Sequence, residues 1–403
     1  MLGVKASLEG GFIHLDFEKK SLLVDRNDFP GLREYIYLNS AAVGLLPQQT
    51  IAAIKEYLES ERIYGNILWS EWEQRLDELR VLISRLIHSK SHEEIAFTQN
   101  TSSGLNIVAN GIKWKKGENI VINDMEFPAN IYPWQNQAKK HGLDIRIAKS
   151  NNGKVPVEEY EKLIDDNTRV VAVSWVEFQN GFTHNLSEIA ELSHEHGAYF
   201  VVDGIQGLGM LTLDVQKENV DFFACGGSKW LISPIGTGFL YIKREYLEEL
   251  DVTFAGWRSH KDPDSFSYAW FEPAKNAKRF DGGSPNVIGA VGMNASINYL
   301  LNHNPQRVQE YDLYLAYYLV ERLNELENIK ILSPLNENGN PKSSIISFAT
   351  TAKNIEKIHT NLKDHKIITS LRLGAIRVSI HLYNSRDDID VLTEMLKTQL
   401  RSS

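Results

Sequence analysis

Two short apolar runs, each closed by an acid or by glycines, constrain this chain more than any other feature. Tyr199–Val202 ends in Asp203, within AYFVVDGIQGLG. Further on, Phe222–Cys225 ends in Gly226–Gly227–Ser228–Lys229. Short β-rich apolar runs of this kind read as buried strands of a parallel sheet. Ligands of such sheets sit outside the carboxyl ends of the strands. A carboxylate, Asp203, and an amine, Lys229, are thereby delivered to one rim.

The surrounding sequence repeats the same rhythm. Strands are expected at Ile95–Thr98, Ile120–Asn123, Ile145–Ala148, Val170–Trp175 and Gly238–Ile242. Helical patterns fall between them, at Leu105–Asn110, Ile131–His141, Pro156–Ile164 and Leu186–His196. Alternation of this type predicts an α/β fold with a parallel sheet. Upstream, Tyr35–Asn39 reads as a short strand, and a helix is expected from Pro47. A second helix over Trp69–Ile87 carries Trp72, Leu76, Leu79, Ile83 and Leu86 on one face. After Phe280 the pattern changes to helices at Val287–Leu301 and Gln306–Leu326. Alternating strands follow at Ser344–Ala349 and Ile376–Leu382, then a closing helix at Asp387–Leu400. At 403 residues the chain exceeds one ordinary core. The expected division is an N-terminal segment 1–34, a large α/β domain 35–285 and a smaller α+β domain 286–403.

Composition narrows the functional class. A net charge of −9 argues against a nucleic-acid surface. The single cysteine, Cys225, excludes a disulfide within the chain and fits a reducing compartment, so a cytoplasmic location is expected. The N-terminal MLGVKASLEGGFIHLDFEKK has no apolar core of a signal peptide. No apolar run is long enough to span a membrane. No set of side chains is assigned to a metal.

An amine and a carboxylate at one rim are what pyridoxal phosphate requires. The lysine forms the Schiff base, and the carboxylate keeps the pyridine nitrogen protonated. Taken singly, Asp203 is an ordinary turn cap and Lys229 an ordinary solvated lysine. Two glycines before the lysine, which allow close approach of a ligand, and the apolar Trp230–Leu231 after it favour the cofactor. The turn Asn100–Gly104 offers three hydroxyls ahead of a helix, which suits a phosphate or a plain N-cap. Gly204, Gly207 and Gly209 run G-x-x-G-x-G, the wrong order for a dinucleotide fingerprint. Phe127 lies near the same rim and would stack on a cofactor ring or pack in the core.

With these residues in view, the chain resembles the class V aminotransferases, the branch of fold-type-I pyridoxal-phosphate enzymes that includes cysteine desulfurases and isopenicillin N epimerase-like proteins. The resemblance rests on YLNSAAVGLLP, FTQNTSSGLNIVANG, DMEFPANIYPWQ, HGAYFVVDGIQGLG, GGSKWLISPIGTGFLYI, FDGGSPN and IRVSIHLYN, in that order. It implies a large domain with a mostly parallel sheet and a smaller C-terminal α+β domain. It implies that Lys229 carries the cofactor, Asp203 pairs with the ring nitrogen and Gln206 bonds the ring 3-oxygen. Thr101, Ser102 and Ser228 would hold the phosphate, and Phe127 would stack on the ring. Ser284 would reach the phosphate of a neighbouring subunit in a homodimer. Arg377 would fork onto the carboxylate of a small amino-acid substrate, with Arg372 facing the same site.

The sequence also departs from the desulfurase pattern. Phe127 stands where desulfurases carry histidine, and Gly226–Gly227–Ser228 replaces their Ser-Gly-His. Glu177–Asn180 takes the place of a Ser-Asn pair and is left without a role. No cysteine follows Arg372 on a loop, and Cys225 sits in an apolar run. The expectation drawn is an aminotransferase or C–S lyase, and not a persulfide-forming cysteine desulfurase. An amino-acid epimerase is the alternative, and a catalytically inactive scaffold or a nucleotide-dependent oxidoreductase represents other classes.

Overall fold

The computed structural model describes residues 6–9, 12–15, 22–266, 270–351 and 353–401. The reading of the N-terminus as lacking a signal peptide falls largely outside these residues.

In chain order, β1 (Ala6–Glu9) pairs antiparallel with β2 (Phe12–Leu15). Then come β3 (Ile36–Tyr37), α1 (Gln48–Tyr64) and α2 (Trp69–Ile87). The alternating part comprises β4 (Ile95–Thr98), α3 (Thr101–Gly111), β5 (Asn119–Asn123), α4 (Tyr132–His141) and β6 (Asp144–Ala148). It continues through α5 (Val157–Glu161), β7 (Thr168–Ser174), α6 (Leu186–Glu195), β8 (Tyr199–Asp203), β9 (Phe222–Gly226) and β10 (Gly238–Ile242). The C-terminal part has α7 (Val287–Asn302), α8 (Pro305–Asn324), β11 (Ile329–Ile331), β12 (Ile345–Thr350) and α9 (Ile355–Asp364). It ends with β13 (Ile367–Ile368), β14 (Ser370–Arg372), β15 (Ala375–Ser379) and α10 (Arg386–Arg401).

Seven strands form the central sheet in the order β4-β10-β9-β8-β7-β5-β6. The fold is α/β with a mostly parallel sheet, as the alternation predicts. β10 is the exception, running antiparallel to both β4 and β9. Only the short span 227–237 separates β9 from β10, which is too little chain for a helical crossover.

Every residue of β5, β8, β9 and β10 is buried. The period-2 alternation of a strand divides them between two cores. Phe200, Val202, Phe223 and Cys225 join the core on one face. Tyr199, Val201, Phe222 and Ala224 join the other, with Leu105, Val108 and Ala109 of α3. Gly104 lets α3 approach the sheet, since a Cβ there would stand 2.9 Å from that of Ala224.

The smaller C-terminal α+β domain is built on an antiparallel sheet, β11-β12-β15-β14, with α8, α9 and α10. β3 pairs with β13, and Leu38 packs among the C-terminal apolar residues. β11, β13 and β14 are short and carry no clear period in the sequence, whereas α9 places Ile355, Ile358 and Leu362 at helical spacing against the C-terminal core. Leu373 and Gly374, with φ of 47° and 76°, form the turn between β14 and β15.

Candidate active site

The carboxyl ends of β8 and β9 do deliver Asp203 and Lys229 together. In the parallel register Asp203 faces Ala224, and Lys229 follows the end of β9. Asp203 is buried, with one carboxylate oxygen accepting the Ile205 N–H at 3.0 Å. It therefore caps its turn with one oxygen, and no protein donor meets the other among the described residues. Burial pushes its pKa up to about 6, although the Ile205 N–H and Lys229 both pull it down. Burial pulls Lys229 down to about 8; Asp203 opposes this, while Arg377 and Arg372 add to it.

Phe127 lies beside the lysine, whose Nζ is 5.8 Å from the ring centroid. The ring is half-exposed and meets Phe178 edge to face at 5.1 Å. The Phe178 carbonyl accepts from Nη1 of Arg377 at 2.6 Å. Arg377 is buried and also donates from Nη2 to Ser370 Oγ at 3.3 Å, while its Nε has no partner. Burial, and then Arg372, bring its pKa down to about 10. Among the described residues neither Lys229 nor Arg377 forms an ion pair with a carboxylate. Arg372 is exposed and donates only to its neighbour, the Leu371 carbonyl.

Thr101 starts α3 directly, so the stretch read as a turn is the first turn of that helix. Asn100 is the N-cap, its side chain accepting from Ser103 N–H at 2.9 Å. Thr101 Oγ1 accepts from Gly226 N–H at 3.0 Å, which ties the helix start to the lysine loop. A Cβ at Gly226 would reach within 3.3 Å of that hydroxyl. Ser102 lines a cleft of about 410 Å³ with Phe127 and Tyr132. Ser228 is partly buried, and its carbonyl accepts from Gly44 N–H at 2.8 Å. Gln206 is buried between Ala41 and Trp230, donating to the Ala41 carbonyl at 3.1 Å and accepting the Trp230 indole N–H at 3.0 Å.

Ser284 is not in this group. It is exposed and lines an adjoining cavity of about 520 Å³ with Gln99, Ser103 and Phe254, and Asn106 lines both this cavity and the Ser102 cleft. The glycines of 204–209 serve packing. A Cβ at Gly204 would collide with the Phe223 ring at 1.8 Å, and one at Gly207 with Trp175 at 2.2 Å.

Glu177–Asn180, a stretch with no role legible in its sequence, lies against the site. Besides Phe178, it contributes Glu177, which is fully buried with neither carboxyl oxygen bonded. Burial, then the neighbouring Glu126, push its pKa well up. Glu126 accepts from the Ser174 N–H and hydroxyl, each at 2.6 Å, and burial raises it to about 8. No group of side chains that could hold a metal ion occurs among the described residues. No helix among them is long and apolar enough to cross a membrane.

The residues present fit pyridoxal phosphate. They supply a partly buried amine, a buried carboxylate, a helix N-terminus and a cradle that a side chain at Gly226 would fill. The class-V aminotransferase model matches residues 36–392. The chain belongs to that family, whose members are pyridoxal-phosphate enzymes acting on amino acids. It is 32% identical to a probable cysteine desulfurase of Pyrococcus abyssi, over 94% of this chain and 98% of the relative. It superposes on the apo cysteine desulfurase of Thermococcus onnurineus with a TM-score of 0.86 and 28% identity, over 94% of this chain and 98% of that one. A variant of C-DES with glycine covalently linked to its pyridoxal phosphate aligns with a TM-score of 0.85 and 25% identity, over 93% and 99% of the two chains.

These likenesses overturn one expectation. The missing loop cysteine and the phenylalanine at 127 argued against a persulfide-forming cysteine desulfurase and for an aminotransferase or C–S lyase. Relatives matching almost the whole chain bear the desulfurase name. Similarity along the entire chain outweighs departures at single positions.

Proposed function

We propose that this enzyme takes sulfur from L-cysteine in the manner of a cysteine desulfurase, leaving alanine and a persulfide. The carrying observation is the pair of cations, Lys229 and Arg377, beside one aromatic pair without carboxylate partners. A charge held wholly out of water, as at Arg377, or partly, as at Lys229, is costly without a partner, so such a pair suits a site completed by anionic ligands. Asp203 is the one acid that faces Lys229 from the sheet.

In this reading Lys229 holds pyridoxal phosphate and Asp203 keeps its ring nitrogen protonated. Thr101, Ser102, Ser228 and the start of α3 hold the phosphate, while Gln206 bonds the 3-oxygen and Phe127 covers the ring. Bound, the cofactor draws electrons from the substrate's α-carbon. Arg377 clamps the substrate carboxylate with the donors left at Nε and Nη. With its pKa lowered to about 8, Lys229 Nζ can take and return a proton at the α-carbon near neutral pH. A thiolate attacks the substrate sulfur. The C–S bond breaks, its electron pair stays on the β-carbon, and that carbon takes a proton. Cysteine and a thiol thus become alanine and a persulfide.

The only thiol of the chain, Cys225, is fully buried within β9, and burial raises its pKa well above the usual value. The accepting thiol therefore arrives with a second molecule. We also propose a homodimer in which Ser284, at the exposed edge, meets the partner's phosphate site. The test is to incubate the holoenzyme with L-cysteine and a small thiol and to assay alanine, pyruvate, persulfide and D-cysteine. Alanine and persulfide in equal amounts support the reading. Pyruvate or D-cysteine as the main product would reject it.

A further inference from the structure

We infer that His381, clamped by Asp312, is a positioning residue for Lys229. The inference rests on Lys229 being the cofactor lysine. His381 follows β15 and Asp312 lies on α8, and both are fully buried. His381 Nδ1 is 2.7 Å from Asp312 Oδ2, and its Nε2 is 2.9 Å from the carbonyl oxygen of Trp230, the residue after the lysine. A carbonyl only accepts, so Nε2 carries the proton and donates. At Nδ1 either an imidazolium donates to the carboxylate or a protonated Asp312 donates to the neutral ring. In both cases Asp312 fixes the ring so that Nε2–H points at the lysine loop.

The loop needs such a tie. Ile232 closes a tight turn, its backbone N–H donating to the Lys229 carbonyl at 3.0 Å. Its φ is 44°, a left-handed conformation that a β-branched residue rarely adopts. Strain of this kind persists only where surrounding contacts over-determine it. Two outside bonds flank it. Ser296 Oγ donates to the Ile232 carbonyl at 2.8 Å, and His381 holds the Trp230 carbonyl. Glycine at 209 makes room there, since a Cβ would lie 2.4 Å from the Trp230 oxygen. Trp230 also packs edge-on against His381, with centroids 5.2 Å apart, and its indole holds Gln206. The Asp312–His381 pair thus carries the position of the C-terminal domain into the peptide that sets the lysine.

Three variants of the holoenzyme and one that lacks the cofactor test this. His381→Phe keeps a ring and removes the donor. Asp312→Asn still donates to Nδ1 and leaves Nε2–H on Trp230, whereas Asp312→Leu does neither. Hydrogen exchange is read at the Ile232 and Ser233 amides, which close the turn onto Lys229 and Gly227. In His381→Phe and Asp312→Leu, exchange there should speed up at least ~10-fold, and kcat should fall at least ~10-fold with KM within ~2-fold. Asp312→Asn should stay within ~3-fold of the wild type in both readouts. Lys229→Ala, which cannot hold the cofactor, should leave the two amides protected. Slow exchange and normal kcat in His381→Phe would overturn the inference. So would an Asp312→Asn variant as impaired as Asp312→Leu. The exchange readout requires no turnover, so failure of the positioning role is distinguishable from failure of the assigned reaction.

Discussion

Phe127 and Phe178 meet edge to face, with planes at 75°. Through them the lysine and the buried arginine are held in one arrangement. Phe127 lies beside Lys229 Nζ, and the Phe178 carbonyl anchors Arg377. The aromatic pair offers no acid or base, so proton movement in the proposed reaction falls to Lys229.

The first consequence concerns attachment. Lys229 is the amine facing Asp203, so Lys229→Ala should abolish covalent capture of pyridoxal phosphate and turnover. Borohydride reduction of the wild type followed by peptide mapping should place the label on Lys229. Label on any other lysine would remove the assignment.

Arg377→Lys should weaken binding of L-cysteine. Lysine brings a point charge and no planar fork, and it leaves the Phe178 carbonyl without its bond. Losing one charge-assisted pair costs about 1.5–3 kcal/mol, or roughly 10- to 150-fold in Kd. Cysteamine, which lacks the carboxylate, should bind both forms alike. Wild-type affinity for cysteine in the variant would make Arg377 structural.

Asp203→Asn should lower turnover and also stabilise the cofactor-free protein. In the folded chain the Asp203 pKa is raised from 3.8 to about 6. A raised value means that the folded state keeps a proton the unfolded state releases. The stability this confers is complete below pH 3.8 and is lost as pH rises through about 6. Asparagine avoids that loss. Its advantage should be near zero at the acid end and should grow to the order of 2–3 kcal/mol above the folded pKa. Thermal denaturation across this range measures it. A difference that does not change with pH would show that the buried carboxylate is not the cause.

Gly44→Ala should damage both fold and site. The loop bearing Gly44 crosses the lysine loop so closely that a Cβ would lie 2.1 Å from the Lys229 carbonyl oxygen. Overpacking of this kind costs about 1–3 kcal/mol. Urea unfolding should show that loss. Unaltered stability would mean that the two loops separate easily.

Much of this arrangement is legible in the sequence because buried parallel strands carry their own signature. Tyr199–Asp203 and Gly238–Ile242 match in full, and the Trp72–Leu86 face of α2 is buried as its spacing predicts. The direction of β10 is not legible, because an apolar run looks the same in either orientation. Thr101–Gly104 reads as a turn because hydroxyls and glycine favour turns, but tertiary packing on β9 makes it helix. Arg372 and Arg377 look equivalent in the sequence. The hairpin between them buries one and exposes the other. His381 lies in the stretch IRVSIHLYN, yet its partner Asp312 is far away in the chain, and only the fold brings the two together.

The last prediction concerns where the sulfur goes. Cys225 pairs with Phe239 across the sheet, lies in the core with Phe223, and has no exposed surface. The turn after Arg372 is Leu373–Gly374, which holds no thiol. Sulfur transfer needs a thiolate that can approach the substrate sulfur and then depart with it. An incoming thiol meets that need, and a second cysteine molecule is such a thiol. With cysteine alone, the rate of alanine formation should therefore depend on a second cysteine, and cysteine persulfide should appear. A larger thiol added in excess should take over as the persulfide carrier, with one alanine formed per persulfide. Trapping with an alkylating reagent followed by mass spectrometry identifies the carrier. Recovery of the transferred sulfur on Cys225, with none on the added thiol, would show that β9 opens during turnover and that the acceptor belongs to the chain itself.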